Sequence, residues 1–260
     1  MNHFVSPHAQ IHPSVELGPY VVIEDDVVIG EGSVIGSHAV IMNGVRIGKY
    51  VKIFTGAVLG TIPQDKKYKG EKTFLQIGDF VTIREYCTLN IGTDATGKTV
   101  IGDHSLLMAY VHIAHDCVIG QHVVLSNNVN LAGHVFIGDY AILGGLVAVH
   151  QFGKVGKLSM LGGGTLVRKD IPPYVKAARE PVSYTGVNRV GMERTGMTGT
   201  EIHHIQDIYR VLFVKGYRLQ KALDIIENEI ENTEFKSNIL EFIDNSQRGI
   251  MRGFMRKRSV

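Results

Sequence analysis

The chain has 260 residues, and its 27 Lys and Arg against 25 Asp and Glu leave a net charge of +2, too balanced for a protein that holds nucleic acid by bulk electrostatics. Its two cysteines, Cys87 and Cys117, belong to no paired motif, which excludes a disulfide framework and fits a reducing compartment. No apolar run approaches the roughly 18 residues of a membrane span, and the opening MNHFVSPHAQ lacks the basic and apolar regions of a signal peptide, so a soluble cytoplasmic protein is expected.

Along the chain, every sixth residue from Val5 is aliphatic: Ile11, Leu17, Ile23, Ile29, Ile35, Ile41, Ile47, Ile53 and Leu59. The frame resumes at Ile77, Ile83 and Leu89. It then runs without a miss from Ile101 through Ile113, Ile119, Leu131 and Ile137 to Val167. Gly often follows the aliphatic residue, as at Gly18, Gly30, Gly102 and Gly120, and the fifth position is small or branched, as at Ala39, Val51 and Val123. Period six fits neither an α-helix nor a hairpin strand. It fits a hexapeptide parallel β-helix, in which three short strands and three corners make one triangular coil and the aliphatic ladder points inward. The Gly after the ladder residue is expected to serve the strained corner.

Residues 1–60 supply ten hexads. Residues 61–76 (TIPQDKKYKGEKTFLQ) break the frame as a polar excursion, and long loops on a rigid scaffold tend to carry function. Residues 77–91 give three more hexads, and residues 92–100 (GTDATGKTV) form a second, shorter excursion. Twelve hexads then fill residues 101–172, and Asp170-Ile-Pro-Pro-Tyr174 stops the winding, because Pro cannot donate to a ladder. Residues 1–174 are thus read as the prism and residues 175–200 as an irregular connector. Residues 201–260 are read as a helical C-terminal domain. Its first helix starts at Glu201 with Thr200 as N-cap and ends near Gly216; a second covers Leu219 to about Ile230, and a third Phe235 to Gln247. The basic cluster Arg252, Arg256, Lys257 and Arg258 reads as a solvated tail.

One stretch stands apart from the scaffold: HIAHDC, from His112 to Cys117. In a triangular coil, a residue eighteen positions on lies one strand spacing above, about 4.8 Å away. Gly133 and then Gln151 therefore stack over His115, His134 and Phe152 over Asp116, and Asn130 over His112, with His150 beside Gln151. His115 is expected to face outward on a corner edge. A bare Gly above it leaves a backbone N–H that suits an oxyanion, and His accepts a proton near neutral pH. Asp116 can orient His115 only if the pair straddles a corner or a neighbouring subunit completes the site. A prism has no deep cleft of its own, so a homotrimer with shared sites is expected.

Taken in order, the hexad prism, HIAHDC, LAGHVFIGD (131–139), AVHQF (148–152), the IPQDKKY loop (62–68), DIPPY (170–174) and the helical tail resemble the acyl-carrier-protein–UDP-N-acetylglucosamine O-acyltransferase family of lipid A synthesis over essentially the whole chain. The resemblance implies left-handed winding. It implies transfer of a 3-hydroxyacyl group from acyl carrier protein to the glucosamine 3-hydroxyl, with no metal or redox cofactor. By the same likeness His115 is the general base, Asp116 the acid that orients it, and Gly133 the oxyanion donor. His112, His134, His150 and Gln151 line the substrate groove, while Asp65 and Lys67 meet the sugar nucleotide. Asn188 and Arg194 approach the nucleotide and its phosphates, and Leu166 lies near the acyl tail.

The chain also departs from the family. Asn90 and Ile91 stand where a better-known form of the motif reads His-Arg, with Asn90 still able to hydrogen-bond substrate, and Thr195 replaces a second Arg. Arg168, Lys169, Lys176 and Arg179, beyond the prism, are candidates to meet acidic acyl carrier protein, with ordinary surface charge as the other reading. Other readings remain open here. A trimeric prism of the γ-carbonic anhydrase type would use His112, His115 and His134 as metal ligands. A non-catalytic prism would not need His115. The same acyl transfer to a 3-amino UDP-sugar would serve the same site.

Overall fold

The computed structural model describes residues 3–253; the tail residues Arg256, Lys257 and Arg258 lie outside them. Short strands alternate with tight corners from Phe4 to Val167 and pair only with strands of neighbouring coils. They form three parallel sheets: face one, which includes Phe4–Val5 and His112–Ile113; face two, which includes Gln10–Ile11 and Val118–Ile119; and face three, which includes Glu16–Leu17 and Val124–Leu125. The result is a left-handed parallel β-helix with a helical C-terminal region.

Register follows the eighteen-residue step. His112 faces Asn130, which faces Ala148, which faces Leu166. Across the first excursion Val58 faces Thr88, a step of thirty, so twelve residues are extra. Across the second, Thr82 faces Leu106, a step of twenty-four with six extra. Both insertions are whole multiples of the hexad, which is why the sequence frame stays in phase through them. Both also leave from the corner between faces one and two, after Thr61 and after Asn90, in the coils directly below His115.

The ladder residues form the core: Ile23, Leu59, Leu89, Leu107, Ile113, Leu125 and Leu143 are fully buried. The fifth-position residues Ala39, Val51, Val123 and Cys87 lie beside them. The Gly after the ladder residue has a different purpose from the one expected. Left-handed backbone falls two residues later, at Tyr110 (φ 64°), Asp116 (φ 60°) and Asn128 (φ 60°). The ladder-adjacent Gly instead lets coils touch: a Cβ on Gly102 would sit 2.6 Å from the Gly120 carbonyl, and one on Gly30 2.6 Å from the Gly48 oxygen.

Asp170–Tyr174 does not end the winding. Ile171 bridges Val155, and Val175–Ala178 adds to face three with Met160 opposite Lys176, a step of sixteen. The two residues missing from this last coil fall between Val167 and Ile171, ahead of Pro172 and Pro173. The expected irregular connector is ordered: Val175–Ala178 forms an antiparallel hairpin with Ser183–Val187, followed by helix α1 (Arg189–Arg194).

The tail holds α2 (Gly199–Tyr209), α3 (Leu219–Glu229) and α4 (Glu234–Asp244). The N-cap of α2 is Thr198, not Thr200. Its hydroxyl accepts from the Glu201 N–H while the Glu201 carboxylate accepts from the Thr198 N–H, a reciprocal capping box. A π-helical turn over Arg210–Val214 continues α2. Buried Tyr209 ties α2 to the prism by donating to the Pro173 carbonyl at 2.6 Å.

Candidate active site

His115 and Asp116 occupy the corner between faces one and two. The left-handed φ of Asp116 folds the pair back on itself, so two adjacent residues meet: His115 Nδ1 lies 2.7 Å from Asp116 Oδ2. The pair straddles the corner within one chain. His115 lies outside the aliphatic column yet is only 5 % exposed, not open to solvent as expected. The excursion over residues 62–73 brings Asp65 Oδ2 to 4.0 Å from His115 Nε2. Overhead, Gly133 makes room for the ring: a Cβ there would stand 2.6 Å from both Cε1 and Nε2. The stacking of Gly133 over His115 is therefore direct.

The second excursion surrounds Asp116. Oδ1 accepts from the Thr93 backbone N–H at 2.9 Å and from the Thr96 hydroxyl. Oδ2 accepts from the Thr93 hydroxyl at 2.7 Å and faces His115 Nδ1. The Asp116 N–H donates to Thr99 Oγ1 at 2.9 Å. Burial pushes the Asp116 carboxyl up, but the hydrogen bonds from Thr96, His115 and Thr93 outweigh it and hold the group below the usual carboxylate range. The sequence reading missed these threonines because an excursion has no period to read. The available signal was that the frame breaks in the coil beneath HIAHDC.

His134 stands one coil up, its Nε2 3.6 Å from Asp116 Oδ2, its ring edge-on to His115 and stacked on Phe152. Burial lowers its pKa, opposed by Asp116. His112, on the outer side of face one, shares a 2.8 Å hydrogen bond with Thr88 Oγ1, and burial lowers its pKa too. His150 and Gln151 lie two coils above the pair, about 10 Å away by strand spacing. His150 Nδ1 approaches the Gln151 carbonyl, which also accepts from Arg248. Leu166 ends the ladder His112–Asn130–Ala148 and is 39 % exposed, so one outer strip runs from the histidines up the prism.

The other residues expected to meet substrate have the following surroundings. Lys67 is exposed on the excursion, where its N–H donates to Asp65 Oδ1. Asn90 is buried, its amide donating to Thr61 Oγ1 and the Ile62 carbonyl, which pins the root of the first excursion. Asn188 is also buried: Oδ1 caps α1 through the Gly191 N–H and Nδ2 donates to the Leu158 carbonyl, so both ends of its amide serve the fold. Arg194 borders a cavity of about 650 Å³ over face three, with Tyr140, Met160 and Arg189. Face three lies opposite the His115 corner, so one chain does not unite Arg194 with His115. Among the proposed carrier-docking residues, Arg168 pairs with Glu180 at 2.5 Å and the Lys169 amine donates to the Arg248 carbonyl.

His115, Asp116 and His134 bring donor atoms within 4.8 Å of one another. They do not fit a metal centre. A carboxylate has about four acceptor sites, and here Thr93 (twice), Thr96 and His115 already face them. His112, the third ligand of the lyase reading, is turned to Thr88 instead.

The hexapeptide prism places the chain in the class of hexapeptide-repeat proteins, and the bacterial transferase hexapeptide family matches residues 8–43 and 98–133. The family described as Udp N-acetylglucosamine O-acyltransferase, domain 2, matches residues 170–251. The acyl-[acyl-carrier-protein]–UDP-N-acetylglucosamine O-acyltransferase of Chlorobaculum parvum is 60% identical over 93% of this chain and 92% of its own length. Among solved structures, the Francisella novicida UDP-N-acetylglucosamine acyltransferase superposes with a TM-score of 0.93 at 40% identity, covering 97% of this chain and 94% of the other. The Bacteroides fragilis enzyme gives 0.88 at 43% identity, covering 96% and 100%. The chain belongs to the acyl-[acyl-carrier-protein]–UDP-N-acetylglucosamine O-acyltransferase family.

Proposed function

We propose that this chain transfers a 3-hydroxyacyl group from acyl carrier protein to the 3-hydroxyl of UDP-N-acetylglucosamine, the first step of lipid A biosynthesis. The observation that carries the reading is the buried His115–Asp116 pair with Nε2 turned toward Gly133 and Asp65. With Nδ1–H held on Asp116, Nε2 takes the proton of the sugar hydroxyl as its oxygen attacks the thioester carbonyl. The Gly133 N–H receives the oxyanion. The C–S bond then breaks and His115 returns its proton to the departing thiolate. Asp65, on the other side of the gap from Nε2, positions the sugar. The strip from His112 toward Leu166 takes the acyl chain, with His134, His150 and Gln151 along its border.

Arg194 and the α1 end capped by Asn188 meet the nucleotide of a neighbouring subunit's site. The opposition of face three to the His115 corner supports that assignment, because only a second copy brings the two together. The working assembly is a homotrimer in the cytoplasm, where acyl carrier protein supplies the donor. No helix among the described residues is long and apolar enough to cross a membrane.

The test is turnover of His115→Ala on a panel of acyl carrier protein thioesters, with mass spectrometry of the product from 3-hydroxy and 3-amino UDP-sugars. The variant keeps its fold and loses transfer, and the native protein yields a 3-O-ester. Retained turnover removes His115 from its role, and an amide as main product reassigns the acceptor.

A further inference from the structure

The reaction assigned to His115 requires one tautomer of one ring. Free imidazole carries its proton on either nitrogen, and a base must present Nε2 unprotonated. Asp116 selects the Nδ1–H form only while it is an anion whose Oδ2 is held against that nitrogen, which its other hydrogen bonds decide. Those hydrogen bonds come from a single source. Thr93 gives its N–H to Oδ1 and its hydroxyl to Oδ2, and Thr96 gives its hydroxyl to Oδ1. The Thr93 hydroxyl accepts in turn from the Ala95 N–H, which aims its single proton at Asp116. Below, Thr99 fixes the Asp116 main chain. With three donors in place, the last acceptor site on the carboxylate points at His115 Nδ1.

We propose that the second excursion is the positioning element of the base, in which Thr93 and Thr96 act through Asp116 to hold His115 as the Nδ1–H tautomer with Nε2 open to substrate. This rests on the reading of His115 as the base. Its geometry does not depend on that reading. The other charged or titratable groups near the pair are His134 from the coil above, Asp65 from the first excursion and the buried Cys117 thiol, pushed up to about 12. None of these is replaced in the variants below.

Removing a donor leaves Asp116 with a less satisfied charge, which attracts a proton on His115 more strongly and lets the carboxylate turn. Thr96→Val and Thr93→Val keep the side-chain shape and remove the hydroxyl. Thr96 is exposed at the rim, so its replacement leaves the core intact. Each variant is expected to lower kcat about tenfold, as fits a hydrogen bond to a charged group, with KM little changed. The acid limb of the kcat/KM profile moves to higher pH, and Thr96→Ser restores both. In ¹⁵N spectra of the imidazoles, wild-type His115 shows protonated Nδ1, and the Thr93→Val/Thr96→Val double variant shows a mixture of tautomers.

A double variant with native kcat, native acid limb and unchanged tautomer overturns the proposal, as does a wild-type ring protonated on Nε2. Turnover in His115→Ala together with a tautomer change in the threonine variants sinks the base assignment and leaves the positioning intact.

Discussion

At the scale of single residues, the site depends on what is missing from Gly133. A methyl group there would overlap His115 Cε1 and Nε2, and Gly133 has no left-handed φ that would itself resist substitution. Gly133→Ala should therefore fold and displace the ring. A misplacement near 1 Å costs roughly 100-fold in rate, and kcat measured beside thermal unfolding separates this from lost stability. The two neighbouring histidines give a second expectation. Burial holds both His112 and His134 below the ordinary value of 6.5. The unfolded chain then binds protons that the folded one refuses, so their contribution to stability is full above pH 6.5 and declines as pH falls through the depressed folded values. Asp116 acts in the same direction further down: its lowered carboxyl contributes above the ordinary 3.8 and is lost below. Urea unfolding at stepped pH should show the decline, and His134→Phe, which keeps a ring on Phe152, should remove part of it.

At the scale of the element, two positions of the hexad obey opposite rules. Gly102 sits where coils touch, and Ala there drives a Cβ into the Gly120 carbonyl; forced overpacking of this kind costs about 1–3 kcal/mol. Asn128 sits at the left-handed corner, where Gly is at ease, so Asn128→Gly should change stability by less than about 1 kcal/mol. Urea midpoints of the two variants test the contrast, and similar losses in both would contradict it. The hexad made the faces, the register and the stacking of Gly133 over His115 legible in the sequence. A period reports spacing and not backbone angles, so it could not reveal which position bends, and Gly102 was read as a corner when it is a contact. Nor does a period reach the excursions: Thr93 and Thr96 repeat nothing, and their meaning comes only from Asp116 above them. Asn188 shows a further limit: its side chain caps α1 through the Gly191 N–H, a role that no period in the sequence announces.

At the scale of the whole molecule, His115 and Arg194 stand on opposite sides of one prism. Sites completed between copies predict complementation: His115→Ala and Arg194→Ala, each inactive alone, should regain part of the native rate when co-expressed in mixed assemblies. Light scattering should give three chains, and no recovered activity would remove Arg194 from a neighbouring copy's site.

The upper end of the prism is finished as carefully as its edge. The hairpin of Val175–Ala178 and Ser183–Val187 lies on the last strand of face three, and the chain returns at Ile250 and Arg252 to bridge Asp170 and Ser183. Asp170 itself, buried, accepts from the Lys154 N–H and the Ser246 hydroxyl. Raw rungs with unpaired amides would otherwise invite another molecule to dock end to end. The tail pairs with those rungs, and a chain cut after Tyr174 should keep the His115 corner while gaining a sticky terminus.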